Sequence, residues 1–200
     1  MTISSCSVSI LFFWALAALG LGASAAEGTT MDDKVRRKIA EAAAEEHGWK
    51  VDEVRVDEVE RLRRPSCSFY TAAHTVLPLS YQSNYGLLGG EQVIGVGDGN
   101  VVAKILDGCS AGAPAEWWAE IVTRFHRDLG AGIVLRDENT RPDLVRKMVE
   151  AGKTFAPPAL DKGKQSLTFL LLNPETYVLY RIQAMRSAGG AVEVVKTKML

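Results

Sequence analysis

The chain has 200 residues, and its 23 Lys and Arg nearly balance its 24 Asp and Glu, for a formal net charge of −1 at pH 7. Neither this balance nor the distribution of charges favours nucleic acid or an anionic membrane surface as a partner. The three histidines, His47, His74 and His126, are scattered singly. This spacing argues against a metal centre built from closely spaced ligands.

The N-terminal segment, residues 1–26, carries no charged side chain and has an apolar centre followed by small residues. An A-x-A pattern at Ala23 to Ala25 predicts a secretory signal peptide that is cleaved near Ala25 or Ala26. The segment lacks the usual basic start and approaches the roughly 20 residues that cross a membrane, so a retained anchor is the alternative. A membrane is expected as a partner only in that case. Residues 27–200 are long enough for one domain with its own core.

Three segments have the apolar periodicity of amphipathic helices. The first runs from Thr30 to Gly48, with Thr30 as N-cap and Gly48 after the last turn. The second runs from Pro114 to about Leu129, and the third from Thr140 to Ala151. The second helix is expected to bury one stripe and to expose the opposite side to water, with Glu116, Glu120, Arg124 and Arg127 on that exposed side.

Strand-like alternation occurs on both sides of these helices. From Val54 towards Leu62 a strand and a helix fit nearly equally well, and residues 77–91 have the composition of a loop. Gly97-Asp98-Gly99 predicts a hairpin turn. The predicted strands are 67–76, 92–96, 100–106, 166–173, 176–185 and 191–197. Together with the helices they predict an α+β domain, with a single mixed or antiparallel sheet packed by about three helices.

Two cysteines, Cys67 and Cys109, remain after removal of the predicted signal peptide. An oxidising compartment favours a disulfide between them, which would close a loop of about 42 residues. Two free thiols are the alternative. A catalytic thiolate at Cys109 would need a lowered pKa and a histidine partner.

Ser110 lies in Gly108-Cys109-Ser110-Ala111-Gly112, which matches G-x-S-x-G between a strand-like and a helix-like run. A nucleophilic serine needs a helix directly behind it and a histidine base that follows an acid in the chain. The predicted helix begins late, at Pro114, and the only later histidine is His126. A turn that positions Cys109 is the simpler interpretation. A small extracytoplasmic hydrolase using Ser110 or His126 with a carboxylate remains the alternative function.

The remaining aromatic residues suggest a binding function, because tyrosine-rich loops offer contact area at low entropic cost. The alternative for Tyr70 and Trp117 is that they cover the edge of the core. The sequence therefore predicts an exported binding domain for an unknown protein or small ligand, without a cofactor, metal site or complete catalytic set. Its candidate binding surface comprises Tyr70, Tyr81, Tyr85, Trp117 and His126.

Overall fold

A computed structural model of the chain describes residues 31–77, 81–130, 132–161, 163 and 165–200. The predicted signal peptide and the predicted N-cap, Thr30, lie outside these residues. The described part has an α+β architecture with four α-helices and two antiparallel sheets. The expectation of one sheet and about three helices is corrected accordingly. None of the helices in the described ranges is long and apolar enough to span a bilayer.

Along the chain, one helix is followed by four strands, two helices, one strand, one helix and four further strands. Short 3₁₀-helices precede and follow the first strand, at Val51–Glu53 and Glu60–Leu62. The bounds are α1 Met31–His47, β1 Val54–Glu58, β2 Cys67–His74, β3 Gln82–Leu88, β4 Gln92–Ile94, α2 Gly99–Cys109, α3 Ala115–Phe125, β5 Ile133–Leu135, α4 Pro142–Glu150, β6 Ala159–Asp161, β7 Ser166–Leu172, β8 Leu179–Arg186 and β9 Val192–Lys198.

The first sheet is a meander in the order β1-β2-β3-β4, and Tyr70 pairs with Tyr85 in its centre. The second sheet has the order β5-β7-β8-β9. Both β5 and β6 pair with β7, β5 with residues 170–172 and β6 with residues 166–168. Because β8 occupies the other side of β7, β5 and β6 lie end to end along one edge of it.

A central apolar cluster draws side chains from both sheets and from α2 and α3. Strand β7 contributes side chains to two clusters, because successive side chains of a strand point to opposite faces. Phe169 and Leu171 enter the central cluster, whereas Leu170 and Leu172 pack with Met148 of α4 in a separate cluster. A third cluster joins α1 to the outer face of the first sheet.

The predicted hairpin at Gly97-Asp98-Gly99 is wrong, because this segment begins α2. The Asp98 side chain accepts a hydrogen bond from the Asn100 backbone N–H at 2.9 Å and caps the helix. Gly99 is required for close approach rather than for a turn, since a Cβ there would lie 2.1 Å from the Val192 carbonyl oxygen. The apolar residues that follow, Val102, Ile105, Leu106 and Cys109, are buried at helical spacing.

The predicted loop over residues 77–91 is also wrong in its second half, which forms β3. Tyr85 and Leu87 of this strand are buried against α1. The turn to β4 is made by Gly89 and Gly90, whose φ angles are +60° and +77°. Glycine adopts such angles without steric cost, so these two residues end the strand.

The predicted strand over residues 100–106 is likewise wrong, because helix α2 occupies these residues. The remaining predicted elements are confirmed within a few residues at their ends. Helices α1, α3 and α4 occupy the three helical segments. Strands β2, β7, β8 and β9 occupy four predicted strands. Of the alternatives from Val54 to Leu62, the strand is confirmed over Val54–Glu58 and gives way to the second 3₁₀-helix.

Candidate functional site

The Sγ atoms of Cys67 and Cys109 are at disulfide-bonding distance, and their Cα atoms are 5.9 Å apart. Cys67 is the first residue of β2 and Cys109 is the last residue of α2. Both side chains are buried in the central cluster. This geometry is compatible with a disulfide bond, which would tie the end of α2 to the first sheet immediately before Ser110.

Ser110 follows the last turn of α2, where its backbone N–H donates to the Leu106 carbonyl at 3.0 Å. It borders a cavity of about 500 Å³, which we call the Ser110 groove. Helix α3 begins only at Ala115, so its N-terminus does not directly follow the serine. No histidine is among the described residues that line the groove: Asp107, Ser110, Gly112, Ala113, Trp118, Leu160, Gln165 and Arg186.

His126 is buried at the end of α3, and both of its ring nitrogens have partners. Nε2 lies 3.2 Å from the Val192 carbonyl oxygen, and the Asp128 backbone N–H donates to Nδ1 at 3.3 Å. These two contacts fit the tautomer in which Nε2 donates and Nδ1 accepts. His126 thus joins α3 to β9, and it is not among the described residues that line the Ser110 groove.

Four of the five residues of the predicted binding surface are buried, namely Tyr70, Tyr85, Trp117 and His126, whereas Tyr81 is 53% exposed. The Tyr85 hydroxyl donates to Glu46 at 2.6 Å, and the Trp117 indole N–H donates to the Leu62 carbonyl at 2.9 Å. Burial raises the pKa of Tyr70, and burial together with the neighbouring Glu46 carboxylate raises the pKa of Tyr85. These five side chains do not form one exposed surface.

A different group of polar residues converges on Glu120, in the middle of α3. Arg61 donates to Glu120 Oε2 at 3.1 Å from the second 3₁₀-helix, and Arg124 donates to the same oxygen at 3.2 Å from one turn further along α3. Arg136, just after β5, donates to Oε1. Three guanidinium groups from three parts of the chain therefore share one carboxylate.

Glu120 was expected on the exposed side of its helix, but its side chain is only 11% exposed. Burial alone would raise the pKa of Glu120. The hydrogen bond from Arg136 and the charges of Arg61 and Arg124 outweigh burial and hold this pKa below its usual value. Glu120 is therefore a carboxylate at neutral pH and is not suited to act as a general acid.

The arginines line a cavity of about 460 Å³, which we call the arginine cleft. Its lining includes Arg61, Glu120, Arg124 and Arg136, so three positive charges face one negative charge. The exposed fractions of the arginine side chains are 50% for Arg61, 25% for Arg124 and 41% for Arg136. The cleft is therefore open to solvent, carries a surplus of positive charge, and has the volume of a small-ligand site.

Uncharged polar groups complete the lining. Asn84 of β3 accepts from Arg124 Nη1 at 2.9 Å, and its own amide donates to the Arg124 carbonyl at 3.4 Å. Thr123, which is 97% buried, also lines the cleft. Its hydroxyl has no hydrogen-bond partner among the described residues. A buried hydroxyl without a partner is costly, so this group needs an explanation.

No family model, curated protein or solved structure matches this chain. The arrangement of the site must therefore be interpreted from its own chemistry. Within the described ranges, no group of three or more His, Cys, Asp or Glu side chains is placed to hold a metal ion.

Sequence reasoning did not find the arginine cleft. The spacing of Glu120 and Arg124 is visible in the sequence, but it is also the spacing of an ordinary solvent-exposed pair on a helix. Arg61 and Arg136 lie 59 and 16 residues away from Glu120. No local pattern reports their convergence, because it depends on how the two sheets pack around α3.

Proposed function

We propose that this protein is an exported binding domain that holds a small ligand bearing carboxylate groups in the arginine cleft. The observation that carries the proposal is the unequal sharing of charge, in which three guanidinium groups surround a single buried carboxylate. An anionic ligand would neutralise the surplus and would find hydrogen-bond donors already in position.

The donors fit this chemistry. A guanidinium has five N–H donors in a planar fork that matches a carboxylate. Arg61 and Arg136 each use Nη2 on Glu120, and Arg124 uses Nε on Glu120 and Nη1 on Asn84. The donors left over at the mouth of the cleft suit a second, bidentate carboxylate supplied by a ligand.

Glu120 has a positioning role in this proposal. Arginine side chains have many rotamers, and ordering them on binding costs about 0.5–1.5 kcal/mol for each side chain. Glu120 holds three of them in place before a ligand arrives. A carboxylate at this position therefore lowers the entropic cost of binding an anion, although its own charge is negative.

The compartment remains part of the proposal. The uncharged N-terminal segment with its A-x-A site supports export, and a disulfide between Cys67 and Cys109 would be stable in an oxidising compartment. Cell fractionation followed by mass measurement of the protein tests this point. We expect an extracytoplasmic protein that lacks roughly its first 25 or 26 residues. Full-length protein in the cytosol would contradict export.

Binding is tested by titration calorimetry with citrate, a small tricarboxylate, at low and at physiological ionic strength. We expect Arg61→Gln to weaken citrate binding at least about tenfold, because a hydrogen bond to a charged group is worth about 1.5–3 kcal/mol. The affinity of the unmodified protein should fall as salt is added, since the guanidinium groups are partly exposed.

The matched control is Arg55→Gln. Arg55 is also about half exposed and also pairs with one carboxylate, that of Asp57 at 2.8 Å, but it lies on β1 away from the cleft lining. Equal weakening by both substitutions would show a general charge effect and would contradict the proposed site. Absence of citrate binding to the unmodified protein would contradict the proposed function itself.

A further inference from the structure

The arginine cleft adjoins a second cavity. This second cavity has a volume of about 340 Å³ and shares Arg61, Glu120 and Arg136 with the cleft. It adds Arg63 and Arg64 to the lining. We call the two cavities together the arginine trough, because they meet along the Arg61–Glu120–Arg136 contacts and extend the site beyond the size of one small anion.

The surplus of positive charge persists along the trough. Its lining contains five arginines and two glutamates, Glu116 and Glu120. Glu58, which pairs with Arg63 at 2.9 Å, raises the number of carboxylates to three. Five positive charges therefore face three negative charges, and an extended ligand with two or more carboxylates complements them better than a single carboxylate does.

Two buried polar atoms of the residues that line the trough lack hydrogen-bond partners among the described residues. One is the Thr123 hydroxyl in the cleft, and the other is the Nε of Arg64 in the second cavity. Both atoms are buried, and each would pay a desolvation cost without a hydrogen bond. Because these atoms are covered in the structure, a ligand that spans the trough and carries donors and acceptors would satisfy them only with a small shift of the lining side chains.

The trough also borders the edge of a sheet. β5 is the terminal strand of the second sheet, and its Ile133 and Val134 line the cleft. Gln82 and Asn84 of β3 line the same cavity, in the part of β3 that β4 does not cover. A terminal strand presents backbone N–H and C=O groups that an extended peptide can pair with. On β5 these groups are open mainly at Ile133, which is 41% exposed, since Val134 is 4% and Leu135 0% exposed.

We propose that the arginine trough binds an extended acidic segment of a partner protein, which adds to the outer edge of β5 as a further strand. Alternate side chains of an added strand point to the same face, so Asp or Glu at every second position would face the arginines. The inference rests on the proposed function, because the same guanidinium groups bind the carboxylates, and it specifies the ligand as a peptide.

A peptide fits the trough better than an acidic polysaccharide. Trp117 is the aromatic residue of the lining, and it is 4% exposed with the Arg64 guanidinium 5.3 Å from its ring centroid. It therefore offers no open ring face for a sugar to stack on. The backbone groups of β5, in contrast, match the hydrogen-bonding pattern of another strand.

The test uses the full mature chain and fluorescein-labelled capped heptapeptides of valine, threonine and three glutamates, with binding measured by anisotropy. One isomer has glutamate at its second, fourth and sixth positions, and the other has three consecutive glutamates. We expect the alternating isomer to bind at least about tenfold more tightly, because only this isomer presents all its carboxylates on one face. Equal binding would show attraction by charge alone and would overturn the added strand.

Backbone pairing is tested separately from charge. Successive amides of a strand point to opposite edges, so N-methylation of the even or of the odd residues blocks one edge at a time. We expect one methylated version of the alternating peptide to bind like the parent and the other to lose binding by at least tenfold. Equal affinities of the two versions would overturn pairing with β5. Tighter binding of polygalacturonate than of any peptide would identify a polysaccharide site instead.

Thr123→Val provides a matched variant that keeps the shape of the side chain. Removal of an unpartnered buried hydroxyl should raise Tm by about 2–4 °C, whereas binding of the alternating peptide should weaken severalfold. Unchanged peptide binding would overturn the role given to Thr123. Citrate binding without peptide binding would leave the proposed function standing and overturn this inference, and failure of both ligands would overturn both.

Discussion

The arginine cleft and the Ser110 groove are cavities of similar volume, about 460 and 500 Å³, but their charges are arranged differently. In the cleft, three arginines share Glu120. In the groove, Arg186 donates to both carboxylate oxygens of Asp107 and also to the Ala103 carbonyl. The groove therefore holds one closed ion pair, whereas the cleft holds an excess of cations.

The comparison shows that a recognisable motif and a prepared site need not coincide. The groove contains the G-x-S-x-G serine, yet its single guanidinium is already paired and no histidine is among its described lining residues. The cleft has no sequence motif, yet it combines surplus donors with an unpartnered buried hydroxyl on Thr123. Under the proposed function, the ratio of donors to acceptors in a cavity indicates where a ligand binds, and the local sequence does not.

Removal of the disulfide is expected to have the largest effect and to act on the groove. Replacement of Cys67 and Cys109 by alanine opens a loop of 42 residues, which should lower the free energy of unfolding by up to about 4 kcal/mol. Urea unfolding measures this loss, with the reduced unmodified protein as control. Hydrogen exchange should accelerate around Ser110, while citrate affinity at the cleft should change less than about threefold. Unchanged hydrogen exchange around Ser110, together with a larger loss of citrate affinity, would show that the disulfide supports the arginine cleft.

Glu120→Gln is expected to act mainly on the cleft, with a loss of about 2–3 kcal/mol in the free energy of unfolding at pH 7. This is below the value for a fully buried pair, because the arginines are partly exposed. The folded-state pKa of Glu120 is lowered, so its contribution is complete above its ordinary pKa of 4.5 and is lost as the pH falls through the folded-state pKa.

Unfolding of both proteins should therefore be measured by urea between pH 7 and pH 3. The stability difference between the unmodified protein and Glu120→Gln should shrink below about pH 4.5. A difference that stays constant over this range would show that Glu120 acts through packing and not through its charge.

Asp107→Asn is expected to have the smallest effect. Asp107 is 67% exposed, and ion pairs at the surface contribute less than about 1 kcal/mol. Thermal unfolding of this variant should therefore lie within a few degrees of the unmodified protein. A loss as large as that of Glu120→Gln would show that the two ion-pair sites are energetically alike and would remove the distinction drawn between them.

Elements with strong local signals were predictable from the sequence. The segment that forms α3 has a clear apolar stripe, β7 has an apolar run, and β8 and β9 alternate and are bounded by turn residues. α2 was not predictable in the same way, because Gly97-Asp98-Gly99 favours a turn locally. In the folded chain Asp98 caps a helix and Gly99 packs against the backbone of β9.

The site depends on contacts between distant segments, which is why the sequence did not indicate it. The cysteine pairing was predictable, because only two of the three cysteines lie outside the predicted signal peptide and two cysteines allow a single intramolecular bond. The burial of Glu120 was not, since an isolated glutamate on the polar side of a helix is normally exposed. It is buried because arginines from before β2 and after β5 cover it.

The central cluster, which takes side chains from β2, α2, α3, β7 and β8, limits how this chain can be rearranged. A cut between α2 and α3 would leave each fragment with part of an apolar face exposed to water, and such fragments tend to aggregate. The N-terminal sheet is consequently a poor candidate for transfer into another protein as an independent module. Insertions are better tolerated at exposed turns far from this cluster, such as the one containing Tyr177, than between the two sheets.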